Sequence, residues 1–357
     1  MKYQALTIEN FRGIAKLEIA DLRRVNLLVG RNNCGKTSIL EAIFLLSGMA
    51  SPHLSLNIHS FRDLILTEDE DFAFMFRNLD FSIPIRLRGG IEACERTLTV
   101  TPIYGSHPLR NGGMPAVSQM ISVSTAPTIS TALNHRIVEG INYDFVINGD
   151  KKHHGEIHIE GEKTKIFIPG DYKEDLTCSF LHPKSANMVD DKQMENLLIQ
   201  KRLHSVITIL KEIVPMVQDI RMGARSMVYV DIGAERLVPL NVMGDGMRKI
   251  LTFLAAAESM KNGLLLIDEI ENGLHYSSQS IAWKALFAAC KEYNVQIIVT
   301  THSYECVQAF SKTYDAFDPE GDDICLFRIE REGETHRAIG YDAEVLRAGL
   351  EKGFELR

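Results

Sequence analysis

The stretch 25–46 constrains this chain more than any other. Val25, Asn26, Leu27, Leu28 and Val29 form a nearly continuous apolar run ending at Gly30, the pattern of a strand buried on both faces. Gly30-Arg31-Asn32-Asn33-Cys34-Gly35-Lys36-Thr37 follows and fits G-x-x-x-x-G-K-[ST] at every position. From Ser38 onward, Ile39, Leu40, Ile43, Phe44 and Leu46 share one face of a helix. A buried strand, a glycine-rich turn and an amphipathic helix in direct succession point to an α/β fold built on a parallel sheet. The glycines let successive N–H groups point at one anion, and the helix adds its positive end. Lys36 is placed to reach the β- and γ-phosphates of a nucleotide, and Thr37 to offer its hydroxyl to Mg²⁺. Cys34 reads as a small loop residue rather than a redox switch.

A second strand pattern, Leu264-Leu265-Leu266-Ile267, ends in Asp268 and Glu269. Paired with the upstream loop, Asp268 is expected to hold Mg²⁺ through water and Glu269 to polarise the attacking water. The separation, 268 − 36 = 232 residues, is too large for a compact GTPase and suits a core split by an inserted region. Gly244, Asp245 and Gly246 lie just before a long apolar helix pattern at 247–260, where glycines can expose N–H groups to a phosphate or simply cap the helix. His302, in Thr300-Thr301-His302-Ser303, follows another buried strand and can reach a γ-phosphate or the attacking water. Glu271 reads equally as a second acid or as a solvated loop carboxylate.

The rest of the chain is less informative. Its 357 residues, 45% hydrophobic, suffice for a large core, and no apolar run approaches the length of a membrane span. The six scattered cysteines form no Cys-x-x-Cys pair and suggest a reducing, cytoplasmic setting without a metal framework. No signal peptide is evident at the N-terminus. A net charge of −8 argues against broad coating of nucleic acid, though not against a local basic patch. Strands are expected at 3–8, 15–19, 82–87, 96–100, 144–147, 155–160, 163–168, 226–232 and 295–300, with a hairpin over 324–329 and 335–339. Helices are expected near Phe72–Phe76 and at 278–291, 304–312 and 343–350, with one long helix over 190–214. A long loop, expected to be mobile, occupies 105–135.

In order, these features resemble the ABC ATPase superfamily and most closely its SMC-like branch. The opening LTIENFRGI, the run LLLIDEIENGLH and the ending FELR look like stand-alone AAA-type ATPases (the AAA15 and AAA21 groups), related to the overcoming-lysogenization-defect (OLD) family. The 244–246 loop resembles the ABC signature, with Met243 in place of its serine and Asp245 in place of a glycine. The resemblance implies an α/β ABC-type head with a mixed β lobe and a parallel-sheet lobe carrying the phosphate loop. Its core would be residues 1–48 and 225–357, around an inserted α+β region at 49–224. It implies ATP and Mg²⁺ as ligands, Arg12 near the nucleotide, and Gly30, Arg31, Asn32, Asn33, Cys34, Gly35, Lys36, Thr37 and Ser38 as the phosphate cradle. Each site would be composite, with Gly244, Asp245 and Gly246 supplied by a second copy in a homodimer or higher even oligomer. No heptad pair suggests a coiled-coil arm, and no acidic cluster suggests a Toprim nuclease. A dimerising switch controlling a separate effector, for example in anti-phage defence, is therefore expected. Gln119 and Gln193 are poor matches to the family's glutamine loop. An ATP-gated DNA-binding or repair head is the alternative, with Arg86, Arg88, Arg96, Arg110, Lys151 and Lys152 as phosphate contacts. A GTPase would need an Asn-Lys-x-Asp motif, and none is found. The long P-loop-to-Asp-Glu spacing disfavours a transporter ATPase.

Overall fold

The computed structural model describes residues 2–92, 94–105, 138–160, 163–185, 191–223 and 227–351. The loop expected at 105–135 falls almost wholly outside them, as do Arg110 and Gln119. From the N-terminus, β1 (Tyr3–Phe11) and β2 (Ile14–Ile19) form a hairpin, and β3 (Val25–Val29) leads into α1 (Lys36–Ser47) and α2 (Leu54–Ser60). Five strands follow: β4 (Ile85–Ile91), β5 (Cys94–Tyr104), β6 (Val138–Ile147), β7 (His153–Glu160) and β8 (Lys163–Phe167). Next come β9 (Cys178–Leu181), α3 (Asp191–Ile199), α4 (Leu203–Ile213), β10 (Asp219–Met222), β11 (Val228–Asp231), β12 (Val238–Pro239) and α5 (Asp245–Ser259). The chain continues through β13 (Leu264–Ile267), α6 (Tyr276–Tyr293), β14 (Gln296–Thr300), α7 (Tyr304–Phe317), β15 (Ile324–Glu332), β16 (Thr335–Asp342) and α8 (Ala343–Glu351).

Two sheets enclose α1. A seven-stranded antiparallel sheet runs β2-β1-β4-β5-β6-β7-β8, and a six-stranded sheet runs β16-β15-β3-β14-β13-β9, parallel except at β16. Alternation along the parallel strands divides the apolar residues between two cores, because successive side chains leave opposite faces. Val25, Leu27, Leu265, Ile267, Ile297 and Val299 face the helices α3 to α7. Leu28, Leu264, Leu266 and Ile298 face α1 and the antiparallel sheet. A sheet covered on both faces needs near-continuous apolar strands, which is why β3, β13 and β14 read so clearly.

Three features differ from expectation. Strands from the range 49–224 enter both sheets, so this region is woven into the fold: β4 pairs with β1, and β9 pairs with β13. The strand β9, only four residues long, has no periodicity of its own to mark it. The helix expected over 190–214 is two helices. Lys201 takes a left-handed φ of 60°, and its N–H and that of Arg202 bond back to the carbonyls of Leu198 (3.0 Å) and Leu197 (2.8 Å), a Schellman ending. Arg202 is then anchored on α5, with Nε 2.6 Å from the buried Glu258 carboxylate. The apolar spacing resumes in α4 and hides the break from sequence inspection.

Candidate active site

The sheet order brings the C-terminal ends of β3, β14, β13 and β9 together, and the sequence places a polar group just beyond each. Parallel α/β sheets bind ligands at this edge. The loop after β3 curls through Gly30 (φ 142°), Asn33 (φ 63°) and Gly35 (φ 95°). A Cβ at Gly30 would lie 2.4 Å from the carbonyl oxygen of Ile329, so only glycine fits against β15 there. Lys36 Nζ folds back over the loop and donates to the carbonyls of Gly30 (2.7 Å) and Arg31 (3.1 Å).

Thr37, at the first turn of α1, donates its hydroxyl to Asp268, with Oδ1 at 3.1 Å and Oδ2 at 3.0 Å. Asp268 is 3% exposed and also accepts from Thr300 Oγ1 at 2.6 Å. Thr300 in turn accepts the backbone N–H of Glu269 at 2.8 Å. The ends of β3, β13 and β14 are thus tied into one oxygen cluster of carboxylate and hydroxyls, the donor set a hard divalent cation takes. Glu269 sits beside it with φ 49°, an uncommon conformation for a non-glycine residue. Burial raises the Glu269 pKa, and the neighbouring Asp268 carboxylate adds to the shift. A raised carboxylate is better matched to accepting a proton near neutral pH.

His302 follows β14 and contacts Glu271, with Nδ1 2.8 Å from Oε1. Arg12 adopts φ 50° in the β1–β2 turn and lines a cavity of about 330 Å³ with Asn33, Gly35 and Ser38. Its guanidinium is held by the buried Glu41 (2.6 Å), which also binds Arg62 at 2.8 Å. Arg62 Nη2 lies 3.3 Å from Ser38 Oγ. A second cavity of about 490 Å³ is lined by residues 30–34 and 328–332. A larger one of about 680 Å³ opens against β1 and β4, away from all these groups.

Gly244 (φ 88°) caps α5, and Asp245 pairs with Arg248. Neither cavity at the phosphate loop is lined by Gly244, Asp245 or Gly246. Gln193 is engaged in helix packing, donating to Ala255 O (3.3 Å) and Ser259 Oγ (3.0 Å). The position next to Asp268 on the fourth strand end belongs instead to His182. Leu181 pairs with Ile267, and the Asp268 N–H bonds the Leu181 carbonyl at 3.0 Å. His182 stacks on Phe61 with centroids 5.5 Å apart and planes at 9°, and burial lowers its pKa. His182 carries no sequence signal, because β9 is four residues long and the His-Pro that follows it matches no motif.

Comparison with known proteins identifies the family and the fold. The family profile described as "AAA ATPase domain" matches residues 1–196, more than half of the chain. A second profile, an AAA domain whose description ties it to the AbiEii toxin and a Type IV TA system, matches residues 149–307. A Helicobacter pylori protein named "ATP/GTP phosphatase" is 23% identical over 340 residues, covering 85% of this chain and 86% of that protein. A shorter similarity reaches "DNA replication and repair protein RecF" of Idiomarina loihiensis, 33% identical over 86 residues, 24% of this chain and 23% of that protein. Among solved structures, the SMC head bound to the C-winged helix domain of ScpA aligns over 98% of this chain and 100% of its own, with a TM-score of 0.51 at 12% identity. The architecture is thus the mixed α/β fold of an ABC-type SMC head.

Proposed function

The chain belongs to the AAA ATPase domain family, and on that premise we propose that it binds and hydrolyses ATP with Mg²⁺ and uses the nucleotide to switch between separate and paired heads. One observation carries the reading: Thr37 and Asp268, 231 residues apart in the sequence, meet within 3.1 Å beside the phosphate loop. The residues present fit the ligands. The left-handed glycines leave the loop backbone open to phosphate, and the Thr37–Asp268–Thr300 cluster offers the oxygens a Mg²⁺ requires. Held there, Mg²⁺ supplies charge neutralisation at the β- and γ-phosphates.

The chain's own groups do the rest. The N–H groups of 30–35 and the N-terminus of α1 bind phosphate oxygens. Lys36 exchanges its two carbonyl partners for the terminal phosphates. Glu269 accepts a proton from the attacking water. In this reading Gly244, Asp245 and Gly246 complete the site of a second copy, since they line neither cavity at the chain's own phosphate loop. Closing the dimer then signals to a separate effector, and the toxin–antitoxin link of one matching family is what supports a defence role. Phosphate release from Mg²⁺-ATP, set beside GTP and beside Lys36→Ala, tests the enzymatic part. Turnover that survives Lys36→Ala undiminished would sink it.

An ATP-gated DNA-binding head is the second reading, favoured by the RecF similarity. The basic residues expected to serve it are largely engaged: Arg96 is 4% exposed, and Lys151 and Lys152 pair with Asp171 and Asp144. DNA binding that weakens steeply with salt and vanishes in Arg86→Ala/Arg88→Ala would restore it.

A further inference from the structure

Behind Asp268 and Glu269 lies a third carboxylate, Glu271, 9% exposed in the turn after β13. Its Oε1 accepts the backbone N–H of His302 at 2.8 Å, and Nδ1 of the same ring lies 2.8 Å from that oxygen as an ion-pair contact. Its Oε2 is buried without a hydrogen-bond partner. Beneath the turn, Lys249 on α5 is fully buried and donates Nζ to the carbonyls of Ile270 (3.3 Å) and Asn272, the residues on either side of Glu271. Burial lowers the Lys249 pKa to about 8, and the Glu271 carboxylate opposes the shift. Two buried charges are costly to place in an interior. Here they converge on the orientation of one half-exposed ring, whose side chain is 53% accessible.

The chemistry of this contact fixes which face that ring presents. A carboxylate only accepts, so in this contact Nδ1 carries the proton. The ring is then held at both its backbone and its Nδ1 edge, and Nε2 is the nitrogen left to meet a ligand. In the neutral ring Nε2 is an acceptor. An acceptor cannot bond a phosphate oxygen, which is also an acceptor, but it can bond a water hydrogen.

We propose that Glu271 is the positioning residue of His302: it fixes the ring with the proton on Nδ1 and presents Nε2 as the acceptor of a hydrogen bond from the water that attacks the terminal phosphate, while Lys249 braces the Glu271 turn from below. The inference rests on the nucleotide-hydrolysis reading of the site.

The test combines kinetics with ring spectroscopy on the full chain. In ¹⁵N-histidine spectra, with the His302 signals identified by their loss in His302→Ala, the wild type shows the Nδ1–H tautomer, and Glu271→Ala loses that single tautomer. Glu271→Ala lowers kcat for ATP by about tenfold or more, with KM changed less than about threefold. Glu271→Gln, which keeps the volume and one acceptor, retains an intermediate rate and guards against a folding defect. In the His302→Ala background, Glu271→Ala causes no further loss. Equal losses in both backgrounds, or a His302 tautomer unaffected by Glu271→Ala, overturn the proposal. If the wild type shows no hydrolysis at all, the ATPase reading fails instead, and the tautomer measurement still decides the role of Glu271.

Discussion

The hydroxyl of Thr37 bonds both carboxylate oxygens of Asp268, at 3.1 and 3.0 Å, across a sequence separation of 231 residues. This contact joins the first turn of α1 to the end of β13, at the oxygen cluster proposed to hold Mg²⁺. Thr37→Val keeps the shape and removes the oxygen. It is expected to cut Mg²⁺-dependent phosphate release by at least about tenfold, while Thr37→Ser keeps most of it. A magnesium titration of turnover for the three proteins checks this; equal rates for valine and threonine would be the contrary result.

Gly30 tests the loop backbone. A Cβ there would sit 2.4 Å from Ile329 O and 2.9 Å from Cys34 Sγ, on a residue with φ 142°. Gly30→Ala should lose on the order of 2 kcal/mol of stability and weaken nucleotide binding. Gly90, where a Cβ would meet nothing within 4 Å, should accept alanine within roughly 0.5 kcal/mol. Denaturant titration of both variants makes the comparison.

Both halves of the candidate site were legible in the sequence for a physical reason. Parallel strands buried on two faces must be apolar throughout, so β3 and β13 end abruptly before Gly30 and Asp268, where the glycines and carboxylates begin. The same reasoning located His302 after β14. It could not locate His182, because β9 is a short edge strand without periodicity. Nor does a charged residue such as Arg96, expected as a phosphate contact in the DNA-binding alternative, reveal that the alternation of β5 places its side chain inward. The break at Lys201 was hidden because apolar spacing resumes after a turn that a lysine, not a glycine, supplies.

Arg96 illustrates that inward placement. It donates to the carbonyls of Leu46 and Ser47 at the C-terminus of α1, both at 3.3 Å, and to Glu174 at 2.6 Å. These last-turn carbonyls have no intrahelical partner, so the guanidinium caps α1 from the antiparallel sheet. Removing one partner of a buried pair is costly, and Arg96→Met is expected to destabilise the fold by about 3 kcal/mol. In Glu174→Gln the loss should be smaller, and the double variant should fall short of the sum. Thermal and denaturant unfolding of the cycle measures this.

His59 makes stability depend on pH. Its Nδ1 donates to Ser55 O at 2.6 Å, its Nε2 is buried without a partner, and burial lowers its pKa to about 4. The folded pKa lies below the unfolded value, so this contribution is complete above about pH 6.5 and is lost as pH falls towards 4. Between pH 7.5 and 5 the wild type should lose about 2 kcal/mol relative to His59→Leu. Unfolding curves at the two pH values decide it; parallel losses would mean that His59 titrates normally.

The central claim is a composite site completed by a second copy, and Glu269→Gln with Mg²⁺-ATP tests it most directly. This variant keeps the binding groups and removes the proton acceptor. Light scattering should then find a species of twice the 40.1 kDa chain mass that forms with Mg²⁺-ATP, is absent with ADP, and disappears when Gly246→Trp is added. A Glu269→Gln protein that binds ATP yet stays at the mass of one chain, or hydrolyses ATP at the wild-type rate, would contradict the account.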